Sequence, residues 1–155
     1  MSRVYVASSW RNKDQPIVVQ ALRRNGHEVY DFKDPEDNGG TGFHWSDLDE
    51  NWENWSPDEY RRQLLNSPVA AHGYLRDMRG MEWADTCVLV LPCGRSAHLE
   101  AGWFKGRGKR LIVLLEDMEP ELMALMADRL CLSIAEVLRE LTDGQRGLQE
   151  RAARA

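Results

Sequence analysis

The sequence has 155 residues, of which 43% are hydrophobic, and it carries a formal net charge of −5. This length and apolar content fit one globular domain with its own core. The negative charge, with basic residues scattered along the chain, excludes a surface that follows the phosphates of a nucleic-acid polymer.

Three cysteines without CxxC spacing indicate neither a disulfide framework nor a zinc site, and we expect no metal. No apolar run approaches the roughly 18 residues that a membrane span needs, and the first residues (MSRVYVASSWR) lack the apolar core of a signal peptide. We therefore expect a cytoplasmic protein that does not bind membranes.

The chain opens with the pattern of a strand, a helix and a second strand. Arg3–Ala7 (RVYVA) is an apolar run typical of a buried strand. Residues 15–25 predict a helix, with Pro16 in its first turn and Gly26 after its end. A second strand follows over residues 27–32.

A tryptophan-rich segment then interrupts this alternation. Residues 33–42 (KDPEDNGGTG) predict a loop, and four apolar side chains at near-helical spacing follow it: Trp45, Leu48, Trp52 and Trp55. We expect a helical insertion, in which such a stripe serves packing more often than ligand binding. The Ser-Pro pairs at 56–57 and 67–68 predict the starts of two further helices, the second of which runs to about Trp83.

The second half returns to alternating strands and helices. Residues 86–91 (TCVLVL) and 111–115 (LIVLL) are continuous apolar runs, the pattern of strands buried on both faces of a parallel sheet. A helix is predicted between them, from about residue 97 to 106. Residues 121–128, a short strand over 130–132 and a helix from Ser133, with Glu136 in its capping box, complete the predicted domain at residues 1–144. Residues 145–155 are expected to form a polar tail.

This alternation predicts an α/β fold, namely a flavodoxin-like doubly wound parallel sheet of five strands in the order 2-1-3-4-5. In that order a crevice opens at the carboxyl ends of the first and third strands. The loops that leave these strands are residues 8–11 (SSWR) and 92–96 (PCGRS), so hydroxyls and two arginines are expected to meet where such sheets bind ligands.

Several motifs stand in order along residues 3–128. Tyr5 and the turn at residues 7–9 end the first strand, the run DMRGM occupies 77–81 with Asp85 after it, and the run EAG at 100–102 continues to Gly108 and Lys109. Together these motifs resemble the nucleoside 2-deoxyribosyltransferase family. The SSWR turn is similar to that of the 2'-deoxynucleoside 5'-monophosphate N-glycosidases within the family.

Breaking an N-glycosidic bond requires a carboxylate beside the sugar and a proton donor near the departing base. We predict Glu100 as the nucleophile, because a helix start favours its ionised form, although glutamate is also common there for structural reasons alone. The resemblance implies that Asp77 is the general acid; the alternative is a solvated helix aspartate. Asp85, at a helix-to-strand junction, is the second choice for chemistry, and turn capping is its other explanation.

The two loops are the predicted binding site for the substrate. Ser9, Arg11, Arg95 and Ser96 would hold a 5'-phosphate at a helix N-terminus, unless Ser96 is only an N-cap and the arginines are solvated. Gly94 would serve the tight turn and Trp10 would stack on the base. Two further side chains, Tyr5 and Ser8, complete the predicted substrate-binding set.

The resulting hypothesis is an enzyme that cleaves the N-glycosidic bond of a nucleoside 5'-monophosphate, with 2'-deoxyribose as the sugar, through a glycosyl ester on Glu100. Base exchange between nucleosides, NAD glycohydrolysis and a nucleotide-sensing module without turnover remain alternatives. We expect no cofactor. The resemblance implies a homodimer or a higher homo-oligomer.

Overall fold

The computed structural model describes residues 1–35, 40–115 and 120–152, with side chains described as far as residue 144. Five strands form one sheet: β1 (Arg3–Ala7), β2 (Glu28–Asp31), β3 (Thr86–Val90), β4 (Arg110–Leu114) and β5 (Arg129–Cys131). Their spatial order is β2-β1-β3-β4-β5, and the sheet is parallel. The predicted fold class and strand order are therefore confirmed.

Five α-helices accompany the strands: α1 (Gln15–Arg24), α2 (Pro57–Asn66), α3 (Pro68–Trp83), α4 (Arg95–Gly106) and α5 (Ile134–Ala152). Pro16 stands in the first turn of α1, and Gly26 follows its end with a φ of 80°, a conformation that favours glycine. Ser56 and Glu59 form the capping box of α2. The helix α5 continues to Ala152, past the position where we expected an irregular tail.

By its internal contacts the chain divides into two compact units. The first comprises Met1–Tyr30 and Trp83–Ala155, and the second comprises Asp31–Glu82. The first unit therefore holds nearly all of the sheet with α1, α4 and α5, whereas the second holds α2 and α3. The single domain over residues 1–144 stays a prediction, because compact units defined by internal contacts can belong to one domain.

The sheet of the first unit is covered on both faces. One face packs alternate strand residues, among them Val4, Val88 and Ile112, with α1 and α5 into the main hydrophobic core. The opposite face carries Tyr5, which meets Phe104 of α4 at a ring-centroid distance of 5.7 Å. Because α4 covers this second face, its position decides what is buried above β1 and β3.

The second unit is organised around Trp45. Its ring meets Phe43 at 4.9 Å, Trp55 at 6.0 Å and Tyr60 at 5.7 Å between centroids, each in an edge-on arrangement. Within the described part of this unit, Trp45 and Trp55 therefore serve packing.

The predicted helix through this tryptophan stripe is not continuous. The segment forms two 3₁₀ turns, Trp45–Asp47 and Trp52–Asn54. Asp49 lies between them, where its carboxylate accepts hydrogen bonds from the Asn51 backbone N–H and from the indole of Trp55, both at 2.8 Å. Such local bonds compete with helical hydrogen bonding, and this explains the interruption.

No helix in the described ranges is both long enough and apolar enough to cross a membrane.

Candidate functional site

The loops that follow β1 and β3 are joined to each other, as their predicted meeting requires. The hydroxyl of Ser8 donates to the carbonyl of Val90 at 2.8 Å. The amide of Asn12 donates to the carbonyls of Val90 and Pro92, at 3.3 Å and 3.1 Å. Side-chain hydrogen bonds therefore hold the two loops together at the carboxyl ends of β1 and β3, where the crevice is expected.

Asn12 is a residue of this site that the sequence analysis missed. It is 6% exposed, and its side-chain oxygen accepts hydrogen bonds from the backbone N–H groups of Asp14 and Gln15, where α1 begins. One amide thus joins the crevice loop to the helix start. An asparagine shortly before a predicted helix was the available signal, because this residue type caps helices.

The rest of the first loop forms a tight turn. The hydroxyl of Ser9 accepts a hydrogen bond from the Arg11 backbone N–H at 3.2 Å, and its carbonyl accepts one from the Asn12 backbone N–H at 3.0 Å. Ser9 is half-buried, whereas Trp10 is 40% exposed and Arg11 is exposed. The turn thus presents an indole and a guanidinium at the carboxyl end of β1.

The helix α4 begins earlier than predicted, with consequences for three site residues. Gly94 is the N-cap, and Arg95 and Ser96 are the first two helical residues. The alternative explanation of Ser96, as the N-cap of this helix, is therefore wrong: Gly94, in an extended conformation, occupies the cap position. The N–H groups of the first turn have no partners within the helix, so they are available to an anion.

Glu100 is the sixth residue of α4 and not part of its opening turn, which corrects the expectation that the helix start itself favours its charge. The influence of the helix dipole falls off within the first turn. Glu100 is half-buried and precedes Phe104 by one turn. Since Phe104 lies over Tyr5 and the helix runs back from the carboxyl end of β3, Glu100 is about 6 Å nearer the crevice.

The negative charge of Glu100 raises the pKa of two nearby cysteines. Burial, reinforced by the negative charge of Glu100, raises the pKa of Cys93 to about 11. The same two causes, in the same order, raise the pKa of Cys87 well above its usual range. Cys87 is the partner of Tyr5 in the pairing of β3 with β1. Glu100 therefore lies on the face of the sheet that also carries Tyr5.

Tyr5, which was predicted to bind substrate, lies on the face of the sheet beneath α4. It is fully buried, and its ring stacks on Tyr30 at 5.2 Å with an angle of 8° between the ring planes. Together with Phe104 of α4, these rings form an apolar layer between the sheet and the helix.

Asp85 lies at the opposite end of the sheet. It immediately precedes β3, and its carboxylate accepts hydrogen bonds from the Arg3 backbone N–H at 3.0 Å and from the Thr86 hydroxyl at 2.9 Å. A five-residue strand is about 16 Å long, so Asp85 is separated from the carboxyl-end crevice by the length of the sheet. These contacts match the turn-capping explanation, and the structure does not bring Asp85 together with Glu100.

Asp77 lies on α3 of the second unit and is half-buried. The helix position agrees with the sequence analysis, and its approach to Glu100 stays a prediction.

Comparison with known proteins finds similarity of fold but no matching sequence. No protein-family model matches the chain, and no curated protein matches it. Among solved structures, a 2-deoxyribosyltransferase from Bacillus psychrosaccharolyticus has a TM-score of 0.58 at 18% identity, over 87% of this chain and 89% of its own. A conserved protein from Enterococcus faecalis V583 has a TM-score of 0.58 at 15% identity, over 92% of this chain and 98% of its own.

A CMP N-glycosidase from Clostridium botulinum matches with a TM-score of 0.47 at 19% identity, over 90% of this chain and 98% of its own. The two likenesses at 0.58 establish the architecture: the chain has the same doubly wound α/β fold as the deoxyribosyltransferase from Bacillus psychrosaccharolyticus.

Proposed function

We propose that the chain cleaves the N-glycosidic bond of a nucleoside 5'-monophosphate whose sugar is 2'-deoxyribose. The observation that carries this proposal is that Glu100 is half-buried on α4 and near enough to Cys93, in the loop after β3, to raise the pKa of its thiol. The loops at the carboxyl ends of β1 and β3 are joined by hydrogen bonds. A carboxylate near these strand ends supports the role of a glycosidase nucleophile.

The reaction has two steps. In the first, a carboxylate oxygen of Glu100 attacks C1' of the sugar, and the C1'–N bond breaks with its electron pair going to the base. Asp77 is the proposed donor of the proton that neutralises the departing base. In the second step, a water oxygen attacks C1', the ester bond to Glu100 breaks, and the water proton returns to Asp77.

The proposed phosphate site uses groups from both loops. The first-turn N–H groups of α4, with the hydroxyl of Ser9 and the guanidinium of Arg11, would bind the dianion. Arg95 and Ser96 are exposed at the same helix start. Trp10 follows Ser9 directly, so its exposed indole is the proposed stacking surface for the base.

Base exchange is the second candidate, because a structural neighbour is named as a 2-deoxyribosyltransferase. Both reactions share the glycosyl ester on Glu100 and differ in the second step, where a nucleobase nitrogen replaces the water oxygen. Asp85 takes no part in either proposal, since its carboxylate is bonded at the opposite end of the sheet.

A substrate panel tests the proposal. The protein is incubated with deoxynucleosides, their 5'-monophosphates and the corresponding ribonucleotides, with and without a second free base, and the products are separated by chromatography. We expect free base from the deoxynucleoside 5'-monophosphates and no new nucleotide when a second base is added. Appearance of the exchanged nucleoside would establish base exchange instead, and binding without any release would indicate a sensor.

A further inference from the structure

A cavity of about 390 Å³ lies beside α4 in the first unit. Leu89 of β3 and Val113 of β4 form its floor, Gly102 of α4 forms one wall, and Met123 and Met126 of the 3₁₀ helix Leu122–Met126 form the other. No step proposed above uses this space.

The cavity and the proposed nucleophile are on opposite flanks of the same helix. With 3.6 residues per turn, His98 and Gly102 lie one turn apart on the flank that lines the cavity. Glu100 is two positions from each of them and therefore lies about 160° away around the helix axis. Pro92 and Cys93 also line the cavity and belong to the loop after β3, so the cavity and the crevice lie on two sides of this loop.

The size and lining of the cavity indicate a small organic ligand. Ligand pockets have volumes of about 300–1,000 Å³ and mostly apolar walls with a few polar groups. The cavity is open to solvent along Met123 and Met126, which are 65% and 42% exposed, and its mostly aliphatic and thioether lining offers few partners for ordered water. Methionine side chains adapt to ring-shaped molecules, which favours an occupant with a ring.

The polar groups of the lining favour a neutral molecule that donates a hydrogen bond. The Nδ1 atom of His98 lies 3.0 Å from the carbonyl oxygen of Gly94 and 3.5 Å from Sγ of Cys93, which leaves Nε2 as the ring nitrogen for a ligand. Glu121 adds a carboxylate acceptor, and this negative charge disfavours anions such as nucleotide phosphates. Cys93, whose pKa is raised to about 11, contributes a neutral thiol at neutral pH.

We propose that this cavity is a second ligand site, on the other flank of α4 from Glu100, for a neutral, ring-sized apolar molecule that carries one hydrogen-bond donor.

The probe for this site is N-phenyl-1-naphthylamine, a neutral two-ring amine with one N–H group whose fluorescence rises in apolar surroundings. Gly102→Leu fills the cavity from α4, where a Cβ atom meets nothing within 4 Å and a helical glycine is replaced by a better helix former. Ala124→Leu fills it from the opposite wall. Gly106→Leu is the matched control, since Gly106 is also an unobstructed glycine of α4 but does not line the cavity.

We expect saturable binding of one probe per chain, weakened about tenfold or more by Gly102→Leu and by Ala124→Leu, and unchanged by Gly106→Leu. Circular dichroism checks that each variant keeps its helix content. Glu100→Gln should bind the probe as the unmutated chain does, so this test stands whether or not the glycosidase proposal succeeds.

Three results would overturn the proposal. The first is equal affinity in the two filled variants, and the second is loss of binding in Glu100→Gln, which would place the probe in the crevice. The third is loss of binding as protein concentration rises and size-exclusion chromatography reports a dimer, because a second copy of the chain would then be the occupant.

Discussion

At the scale of single residues, Asn12 joins the loop after β1 to the end of β3 and to the start of α1. Its amide donates to two carbonyls of the β3 end, and its oxygen accepts from two N–H groups at the start of α1. Removing this side chain leaves buried backbone groups without partners, and an unsatisfied buried group costs about 1–3 kcal/mol. Asn12→Ala should therefore lower the free energy of unfolding by about 1–3 kcal/mol in urea denaturation.

The matched control for this change is Asn66→Ala. The amide of Asn66 is exposed and bonds only to a carbonyl of its own helix, so its loss should stay within about 0.5 kcal/mol. If both variants unfold at the same urea concentration, the hydrogen bonds of Asn12 do not stabilise the two loops.

The guanidinium of Arg11 is the proposed charged partner of the 5'-phosphate. A charge-assisted hydrogen bond contributes roughly 1.5–3 kcal/mol, so Arg11→Ala should lower kcat/KM for the monophosphate by roughly ten- to a hundredfold. The same variant should hardly change kcat/KM for the nucleoside, which lacks the phosphate. Arg24→Ala, an exposed arginine at the far end of α1, should change neither. Equal cleavage of nucleoside and monophosphate by the unmutated protein would remove the phosphate from the account.

Cys93 reports the charge of Glu100 through its pKa. Burial and the Glu100 carboxylate raise this pKa from the usual 9.0 to about 11, so the thiolate is disfavoured in the folded chain. The stability that the neutral thiol contributes is fully present below pH 9.0 and is lost as pH rises towards about 11. Iodoacetamide, which reacts with the thiolate, should therefore modify Cys93 slowly at about pH 9.5.

Glu100→Gln removes the second of these causes and leaves burial in place. Alkylation of Cys93 at about pH 9.5, followed by peptide mass mapping, should become faster in this variant and remain unchanged in Glu53→Gln, an exposed glutamate of the second unit. An unchanged rate in Glu100→Gln would mean that the carboxylate is not beside Cys93.

At the scale of elements, α4 carries residues of both proposed sites. Its sheet-facing residues Ala97, Ala101 and Phe104 are buried at the spacing of an amphipathic helix. Glu100 is on one flank, whereas His98 and Gly102 line the cavity on the other. One helix thus contributes residues to both the proposed reaction site and the proposed second ligand site.

The helix α3 is held by a close approach within the second unit. A Cβ atom added at Gly73 would lie 2.9 Å from the Cβ atom of Phe43, which belongs to the aromatic cluster around Trp45. Gly73→Ala should therefore destabilise the second unit by about 1–3 kcal/mol, despite the better helix propensity of alanine. Thermal unfolding followed by tryptophan fluorescence measures this change.

Gly106→Ala is the control for that substitution, because an added Cβ atom there meets nothing within 4 Å. It should be neutral or stabilising by up to about 1 kcal/mol. A Gly73→Ala chain as stable as the Gly106→Ala chain would show that α3 and Phe43 are not in close contact.

At the scale of the whole molecule, the sheet was largely predictable from sequence. The continuous apolar runs in β3 and β4 and the short connections between elements indicate a parallel sheet with a known strand order, and the structure has that order. The Ser-Pro pairs also marked the starts of α2 and α3 correctly.

The parts that sequence did not predict depend on contacts between distant residues or on local competition. The bond from Asn12 to Val90 spans 78 residues, so no local pattern contains it. The break in the tryptophan stripe depends on the bonds of Asp49 to Asn51 and Trp55, which a hydrophobic periodicity ignores. The cavity beside α4 is lined by Gly102 and by Met123 and Met126, which come from separate segments of the chain.

The central claim is that Glu100 performs the cleavage, and one comparison of rates tests it most directly. Release of free base from a deoxynucleoside 5'-monophosphate is measured by chromatography for the unmutated chain, Glu100→Gln and the control Glu53→Gln. Loss of an enzymatic nucleophile typically lowers kcat by about 10⁴-fold or more, so Glu100→Gln should be inactive while Glu53→Gln keeps the full rate. A Glu100→Gln chain that releases base at the rate of the unmutated chain would contradict the account.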